Sequence, residues 1–150
     1  MLFVGESPPA SGRFFYSRNS GLYRAIRDVF QAADPSINDD TFLVRFREYG
    51  CYLIDACPDP VDKLEPKARR AACIEGEPVL SQNIRRLQPE MIVSLVRSIR
   101  DNVQRAIERV NWHGPVLHPP YPGRWVRHRE IFTAELLPYV ANLRAGKKLK

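Results

Sequence analysis

Long apolar runs are missing from this chain of 150 residues, whose uninterrupted apolar stretches extend over only a few positions. A helix that crosses a bilayer needs about 20 predominantly apolar residues. We therefore expect no membrane-spanning segment and no membrane partner. A basic leader followed by an apolar core is also missing from the sequence, which predicts that the protein carries no secretory signal.

Cysteine is scarce, and the three residues Cys51, Cys57 and Cys73 cannot all pair with one another. This favours a reducing compartment, so we expect a cytoplasmic protein. The hydrophobic fraction of 44% and the charged fraction of 27% are ordinary for a folded protein, which argues against a disordered or collagen-like chain. The length is that of a single domain over residues 1–150, and we expect a monomer.

Short apolar segments alternate with segments of helical periodicity along the chain. Four strands are predicted at 2–4, 51–56, 91–96 and 115–117, and helices near 22–30, 42–49, 66–87, 99–110 and 132–143. A break is expected at Gly76-Glu77-Pro78 and a kink at Pro138. Short apolar strands without strict alternation indicate a parallel sheet that is covered on both faces. The predicted fold is a three-layer α/β/α sandwich.

Proline is abundant at 13 residues, and seven of them lie in three clusters, Ser7-Pro8-Pro9, 57–60 and 118–122. These clusters follow three of the four predicted strands. Ligands of parallel α/β proteins bind beyond the carboxyl ends of the strands. The sequence therefore predicts a site where these three segments meet at one edge of the sheet.

Positive charge is concentrated near the end of the chain. Between Gly123 and Lys150 two acidic residues, Glu130 and Glu135, oppose seven basic ones, which are Arg124, Arg127, Arg129, Arg144, Lys147, Lys148 and Lys150. A basic face of this kind suits a phosphate-bearing partner. A solvated helix with a lysine-rich tail would give the same pattern, and charge alone does not separate the two interpretations.

Three motifs at the predicted strand ends resemble the uracil-DNA glycosylase superfamily. They are Gly5-Glu6-Ser7-Pro8 after the first strand, Gly12-Arg13-Phe14-Phe15, and His118-Pro119-Pro120 after the last strand. The first motif is most similar to a bacterial and archaeal branch that has Gly-Glu-(Ala/Gly)-Pro-Gly there. The resemblance implies a four-stranded parallel sheet in the order 2-1-3-4. It also implies an enzyme of DNA repair that hydrolyses the bond between a damaged base and deoxyribose.

The resemblance implies a role for each motif residue. His118 would stabilise the departing base anion, Glu6 would orient water, and Phe15 would stack on a flipped base. Gly5 and Ser7 would line the base pocket. Other interpretations remain open: His118 as an ordinary loop histidine, Glu6 as a helix cap or a partner of Arg13, and Phe14 or Phe15 as a core residue.

Three positions depart from the family pattern, and one of them is Pro9, which stands where the resembling branch has Gly. Ser7 stands where the best-known members have Asp or Asn, and a serine cannot act as an unaided base. Asp55 stands at the end of the second strand, where the family has Asn. An ionised Asp only accepts hydrogen bonds, so it would disfavour a uracil carbonyl and favour a base edge with an amino group. Asp55 could instead be protonated, activate water, or pair with an arginine.

DNA contacts are expected from the segment after His118. Tyr121 and Arg124 are the candidates for the wedge that replaces a flipped base, and Trp125 could belong to the core. Arg127 and Arg129 would contact phosphates.

No metal or cofactor is expected. The resembling branch holds an iron–sulfur cluster on four cysteines, two of which precede the first strand. Cys57 and Cys73 have the spacing of the later pair, but three cysteines do not provide the four thiolates. Buried structural cysteines are the expectation for all three.

Three functions are consistent with these observations. The leading hypothesis is a DNA glycosylase-like hydrolase, whose partner is single- or double-stranded DNA. The alternatives are a catalytically inactive nucleic-acid-binding protein of the same fold and a hydrolase of small nucleosides or nucleotides, which would not need the basic C-terminal face.

Overall fold

The computed structural model describes residues 1–147 and 149, and the chain divides into two compact units. The sheet unit contains Met1–Arg13 and Leu53–His118, and the helical unit contains Phe14–Tyr52 and Pro119–Lys150. The assignment of residues 1–150 to a single domain stays a prediction.

A four-stranded, all-parallel sheet organises the sheet unit. Its strands are β1 (Leu2–Gly5), β2 (Tyr52–Asp55), β3 (Ile92–Ser94) and β4 (Val116–Leu117). Their spatial order is β2-β1-β3-β4. The predicted α/β class and the predicted strand order are therefore confirmed.

The two inner strands are apolar because both of their faces are covered. All residues of β1 and β3 are buried, whereas the edge strand β2 begins with the exposed Tyr52. In the parallel register, Leu2 lies opposite Ile92 and Val4 opposite Ser94. This register brings the carboxyl ends of β1 and β3 to the same edge of the sheet, where the polar segments begin.

Five α-helices lie in the described part of the chain. They are α1 (Gly21–Ala33), α2 (Phe42–Glu48), α3 (Pro66–Leu87), α4 (Arg100–Arg109) and α5 (Val126–Arg144). Short 3₁₀ helices occupy Phe15–Ser17 and Arg97–Ile99. Within residues 1–147 and 149, the helices are too short or too polar to cross a membrane.

Helix α3 does not break where the sequence predicted. It continues through Gly76, Glu77 and Pro78. A Cβ atom at residue 76 would lie 2.1 Å from the carbonyl oxygen of Ala56. Gly76 is thus required by the close approach of α3 to the segment after β2, rather than by a break in the helix. The neighbouring Glu77 is almost fully buried and makes several contacts that hold this part of α3 in place.

An aromatic cluster forms the core of the helical unit. Phe15 packs against Tyr23, Phe42 and Phe46 at ring-centroid distances of 5.8, 6.1 and 5.3 Å. Helix α5 begins at Val126, earlier than its apolar stripe predicted, and runs through Pro138 as one helix.

Candidate functional site at the carboxyl ends of the strands

Gly5 and Asp55 meet where β1 and β2 end. A Cβ atom at residue 5 would lie 2.4 Å from Oδ1 of Asp55, so only glycine leaves room for this carboxyl group. The strands also stay paired beyond this point, because the amide of Ala56 donates to the carbonyl oxygen of Gly5 at 2.9 Å. The backbone therefore fixes the carboxyl of Asp55 against the end of β1.

The carboxyl group of Asp55 has no hydrogen-bond or ion-pair partner in the part of the chain that the structure describes. Among residues 1–147 and 149, no side chain or amide donates a hydrogen bond to it, and no arginine pairs with it. Burial raises its pKa from 3.8 to about 6. The arginine pair considered for Asp55 from the sequence is thus not formed. At pH 7 most of this group is ionised, and the described residues leave its capacity to accept hydrogen bonds unused.

Glu6, in contrast, is fully engaged by the protein. Both of its carboxylate oxygens accept from the guanidinium of Arg69, Nε of which lies 3.1 Å from Oε1. The hydroxyl of Ser98 also donates to Oε1, at 2.8 Å. The partner considered from the sequence, Arg13, is therefore replaced by Arg69 of α3. A carboxylate that already accepts three hydrogen bonds has little capacity left to activate water.

Ser7 has a structural contact in the same segment. Its hydroxyl oxygen accepts from the amide of Val61 at 3.3 Å, and the carbonyl oxygen of Glu6 accepts from the amide of Cys57 at 2.8 Å. These bonds attach the segment after β1 to the segment after β2. Ser7 therefore helps to hold together the two segments that form the floor of the candidate site.

His118 follows β4 at the far edge of the sheet. Its side chain is exposed, and its carbonyl oxygen accepts from the guanidinium of Arg100 at 3.0 Å. Partial desolvation, and then the charge of Arg100, lower the pKa of the imidazole, which favours the neutral ring at pH 7. Asp55 and His118 follow strands that are separated by three inter-strand spacings, roughly 14 Å at about 4.8 Å each. The two groups would thus contact opposite ends of a ligand rather than each other.

Two buried polar atoms near these strand ends were missed by the sequence analysis. The hydroxyl of Ser94 and Nε of Arg100 have no hydrogen-bond partner among the described residues. Ser94 ends β3 and is fully buried. The sequence did mark this position, because Ser94 is the one polar residue in the run Met-Ile-Val-Ser-Leu-Val. Buried polar atoms of this kind are usually satisfied by a water molecule or a ligand group.

Phe15 lies in the aromatic core of the helical unit. It is 3% exposed, and neighbouring rings cover it. The sequence allowed either Phe14 or Phe15 to be a core residue, and the structure places Phe15 there. Its burial gives no support to a role in stacking on a base.

A basic turn, defined here as Arg124 to Arg129, begins α5 in the helical unit. Trp125 is 59% exposed, so the core position considered for it is wrong, and Arg124 lies 5.0 Å from the centroid of its ring. Arg127 and Arg129 are exposed in the first turn of α5. That turn contains no acidic residue, and no side chain caps it.

The charge of the basic turn opposes the helix dipole, because cations near a helix N-terminus are unfavourable. Anions are favoured at such an end. Tyr121, which precedes the turn, is also exposed, at 44%. Lys148 and Lys150, which the sequence included in the basic C-terminal face, lie outside the described residues.

Cys57 and Cys73 form a close pair of buried thiols, with their sulfur atoms 2.9 Å apart. Burial raises the pKa of the Cys57 thiol. Within the described ranges, no cluster of three or more His, Cys, Asp or Glu side chains has the arrangement of a metal site. The expectation that the protein holds no iron–sulfur cluster stays a prediction.

No protein-family model matches this chain, and a search of curated proteins finds no match. The structure defines the class as an α/β protein with an all-parallel sheet of order 2-1-3-4. Its candidate site is the cluster of Gly5, Asp55, Ser94 and His118 at or just beyond the carboxyl ends of the strands.

Proposed function

We propose that this protein is a DNA glycosylase-like hydrolase that cleaves the N-glycosidic bond of a flipped, deaminated or damaged base. The observation that carries the proposal is the carboxyl group of Asp55, which lies at the end of a parallel strand in space that only Gly5 leaves free and has no partner among residues 1–147 and 149. An unpaired, partly buried carboxyl with a raised pKa is typical of a catalytic group.

In the proposed reaction, water adds across the bond between C1′ of the sugar and the base nitrogen. The C–N bond breaks with its electron pair going to the base, and the water oxygen forms the new bond to C1′. The ionised carboxylate of Asp55 orients the water, accepts its proton and favours the cationic sugar. With a pKa of about 6, Asp55 is mostly ionised at pH 7 and still basic enough for this role.

His118 has the complementary role at the other end of the substrate. The departing base carries negative charge, and an imidazole N–H that donates to it stabilises the transition state more than the ground state. A neutral ring can donate in this way without already carrying charge, which agrees with its lowered pKa.

DNA binding is proposed to involve the basic turn. Arg124, Arg127 and Arg129 provide exposed cations for phosphates, and Trp125 and Tyr121 provide exposed rings on which bases can stack. This turn replaces Phe15 as the proposed source of aromatic stacking.

The test is a cleavage panel with uracil, hypoxanthine, xanthine and ordinary bases in single- and double-stranded oligonucleotides. We expect the wild type to release one of the altered bases and the Asp55→Asn variant to release it at least about 10²-fold more slowly. Asp62→Asn, which alters an exposed carboxyl of the same unit, is the matched control and should cleave like the wild type. Equal cleavage by Asp55→Asn would refute the role of Asp55.

A second candidate is a non-catalytic nucleic-acid-binding protein of the same fold. The hydrogen bonds from Arg69 and Ser98 to Glu6 favour this candidate, because they give the acidic residue of the first motif a structural role. A wild type that binds oligonucleotides through the basic turn but cleaves none of the panel would support this candidate. Cleavage of free nucleosides alone would instead indicate the small-molecule hydrolase.

A further inference from the structure

A cavity of about 500 Å³ opens between α3 and α4, on the side of Glu6 that carries Arg69. Its charged lining consists of three arginines and two acids, which are Arg69, Arg70, Arg105, Glu6 and Asp101. The volume is within the usual range for small-molecule sites, about 300–1,000 Å³. None of the groups proposed above for base cleavage lines this cavity.

Two of the arginines are held in fixed orientations by acids, one partly buried and one fully buried. Arg69 pairs with Glu6 through Nε and Nη2, and Arg105 pairs with Glu77 through the same two atoms, at 2.9 and 2.8 Å. Glu77 is 1% exposed and also accepts from Asn102 at 2.9 Å. In the described residues, Nη1 of Arg69 and Nη1 of Arg105 donate to no acceptor.

A guanidinium that is fixed on one side and unsatisfied on the other is prepared to bind an anion. Arg has five N–H donors, and the paired edges of Arg69 and Arg105 use only part of them. The side chain of the third arginine, Arg70, makes no hydrogen bond or ion pair among residues 1–147 and 149. Because Glu6 and Glu77 are each neutralised by an arginine, Arg70 adds a cation that no acid of the cavity compensates by direct contact.

We infer that the α3–α4 cavity binds a small phosphorylated sugar, with the phosphate on Arg69, Arg70 and Arg105. Arginine forks match phosphate oxygens in geometry and charge. The hydroxyl of Ser98 and the carboxylate of Asp101 lie in the same lining and can accept hydrogen bonds from sugar hydroxyls. Leu64, Pro66 and Ile74 provide apolar contact for the carbon skeleton.

The two acids in the lining argue for a compact ligand rather than a nucleic-acid strand. A strand presents a row of phosphates, and Asp101 would repel those that pass close to it. In a sugar that carries a single phosphate, the phosphate can bind the arginines while the sugar hydroxyls donate hydrogen bonds to Asp101. Binding of such a ligand to the cavity can be measured whether or not the protein cleaves bases.

The test is isothermal titration of the full chain with ribose 5-phosphate, inorganic phosphate, ribose and a single-stranded oligothymidylate. We expect ribose 5-phosphate to bind more tightly than phosphate, and ribose not to bind. Arg70→Ala should weaken the binding of ribose 5-phosphate about tenfold, as expected for loss of a hydrogen bond to a charged group. Asp101→Ala should weaken the binding of ribose 5-phosphate, because the acceptor for the sugar hydroxyls is lost, and should not weaken that of inorganic phosphate. Arg85→Ala, an exposed arginine of α3 away from the cavity, is the matched control and should bind like the wild type.

Each other result overturns the inference. No heat of binding with ribose 5-phosphate at millimolar concentration would refute the site. Equal affinity for inorganic phosphate would reduce it to a simple anion site, and oligothymidylate that competes through Arg70 would assign the cavity to nucleic acid. Equal effects of Arg70→Ala and Arg85→Ala would show only a general effect of net charge.

Discussion

The Cα of Gly5 and the carboxyl of Asp55 are so close that a single methyl group between them cannot be accommodated: the Cβ of an alanine would lie 2.4 Å from Oδ1. The residue at the end of β1 therefore determines where the acidic group at the end of β2 can lie. This relationship links the smallest residue of the first motif to the one carboxyl group of the candidate site that has no partner among the described residues.

The contact predicts a strong coupling between the two positions. Gly5→Ala should destabilise the wild type by about 1–3 kcal/mol, the usual cost of overpacking a buried position. In an Asp55→Ala background, the same substitution should cost much less, because the carboxyl that it displaces is gone. A double-mutant cycle from urea denaturation measures the coupling. Equal costs in both backgrounds would show that the two residues do not compete for space.

Asp55 should also make stability depend on pH. Its pKa is about 6 in the folded protein and ordinarily 3.8, so the folded state holds the proton more tightly. The free energy of unfolding should therefore fall as the pH rises through this interval. Asp55→Asn should remove this dependence, since Asn does not ionise. We expect the variant to be more stable than the wild type by about 1–3 kcal/mol at pH 7.5, at about 1.4 kcal/mol per pKa unit, and equally stable at pH 3.5. Urea denaturation at both values of pH measures the difference. A wild type that is as stable as the variant at pH 7.5 would show that the ionised Asp55 does not destabilise the fold.

His118 should affect cleavage and not affinity. If its imidazole donates to the departing base, His118→Ala should lower the single-turnover rate about 10²–10³-fold. Binding of the oligonucleotide should change little, because phosphate contacts supply most of the affinity. Rates from quenched-flow and affinities from fluorescence anisotropy separate the two effects. His113→Ala, an exposed histidine before β4, is the control. If His118→Ala cleaves as fast as the wild type, His118 has no catalytic role and Asp55 alone remains as the proposed catalytic residue.

The buried Glu77 should respond asymmetrically to loss of its partners. Arg105→Ala leaves a carboxylate that is 1% exposed with only Asn102 and the more distant Arg109, at 3.6 Å. Glu77→Gln leaves an arginine whose side chain is 46% exposed and can be solvated. We expect Arg105→Ala to cost about 3 kcal/mol and Glu77→Gln to cost less, because an uncompensated buried charge is the more expensive state. Chemical denaturation of both variants checks the order, and the reverse order would contradict this explanation.

The basic turn should make nucleic-acid binding dependent on salt. Each phosphate that is neutralised releases condensed counterions, so log affinity falls with log salt by about 0.9 per contact on duplex DNA. Arg127→Ala and Arg129→Ala should each reduce this slope by about 1. Arg86→Ala, an exposed arginine of α3, should leave the slope unchanged. Affinity that does not vary with salt would exclude the turn as a phosphate-binding surface.

The strands could be predicted because inner parallel strands leave a strong signal, namely short apolar runs such as Leu2–Val4 that end at Gly or Pro. Their order was implied by the family resemblance and not by the apolar pattern. The location of Asp55 and His118 at the same edge of the sheet could also be predicted, because each residue directly follows a predicted parallel strand. The partners of Glu6 could not be predicted, since Arg69 lies 63 positions away and only packing of α3 brings it near. The break expected at Pro78 was wrong, because tertiary contacts at Gly76 and Glu77 outweigh the local preference.

The position of β1 in the sheet has a consequence for synthesis of the chain. β1 is made first, but it lies between β2 and β3, and Leu2 reaches its register only when Ile92 is available. At about 5–20 residues per second, a ribosome would take roughly 5–20 s to produce that partner. For this time an apolar segment would remain without one of its neighbours in the sheet. A slower ribosome would prolong this exposure, and truncation before β3 would leave β1 permanently incomplete.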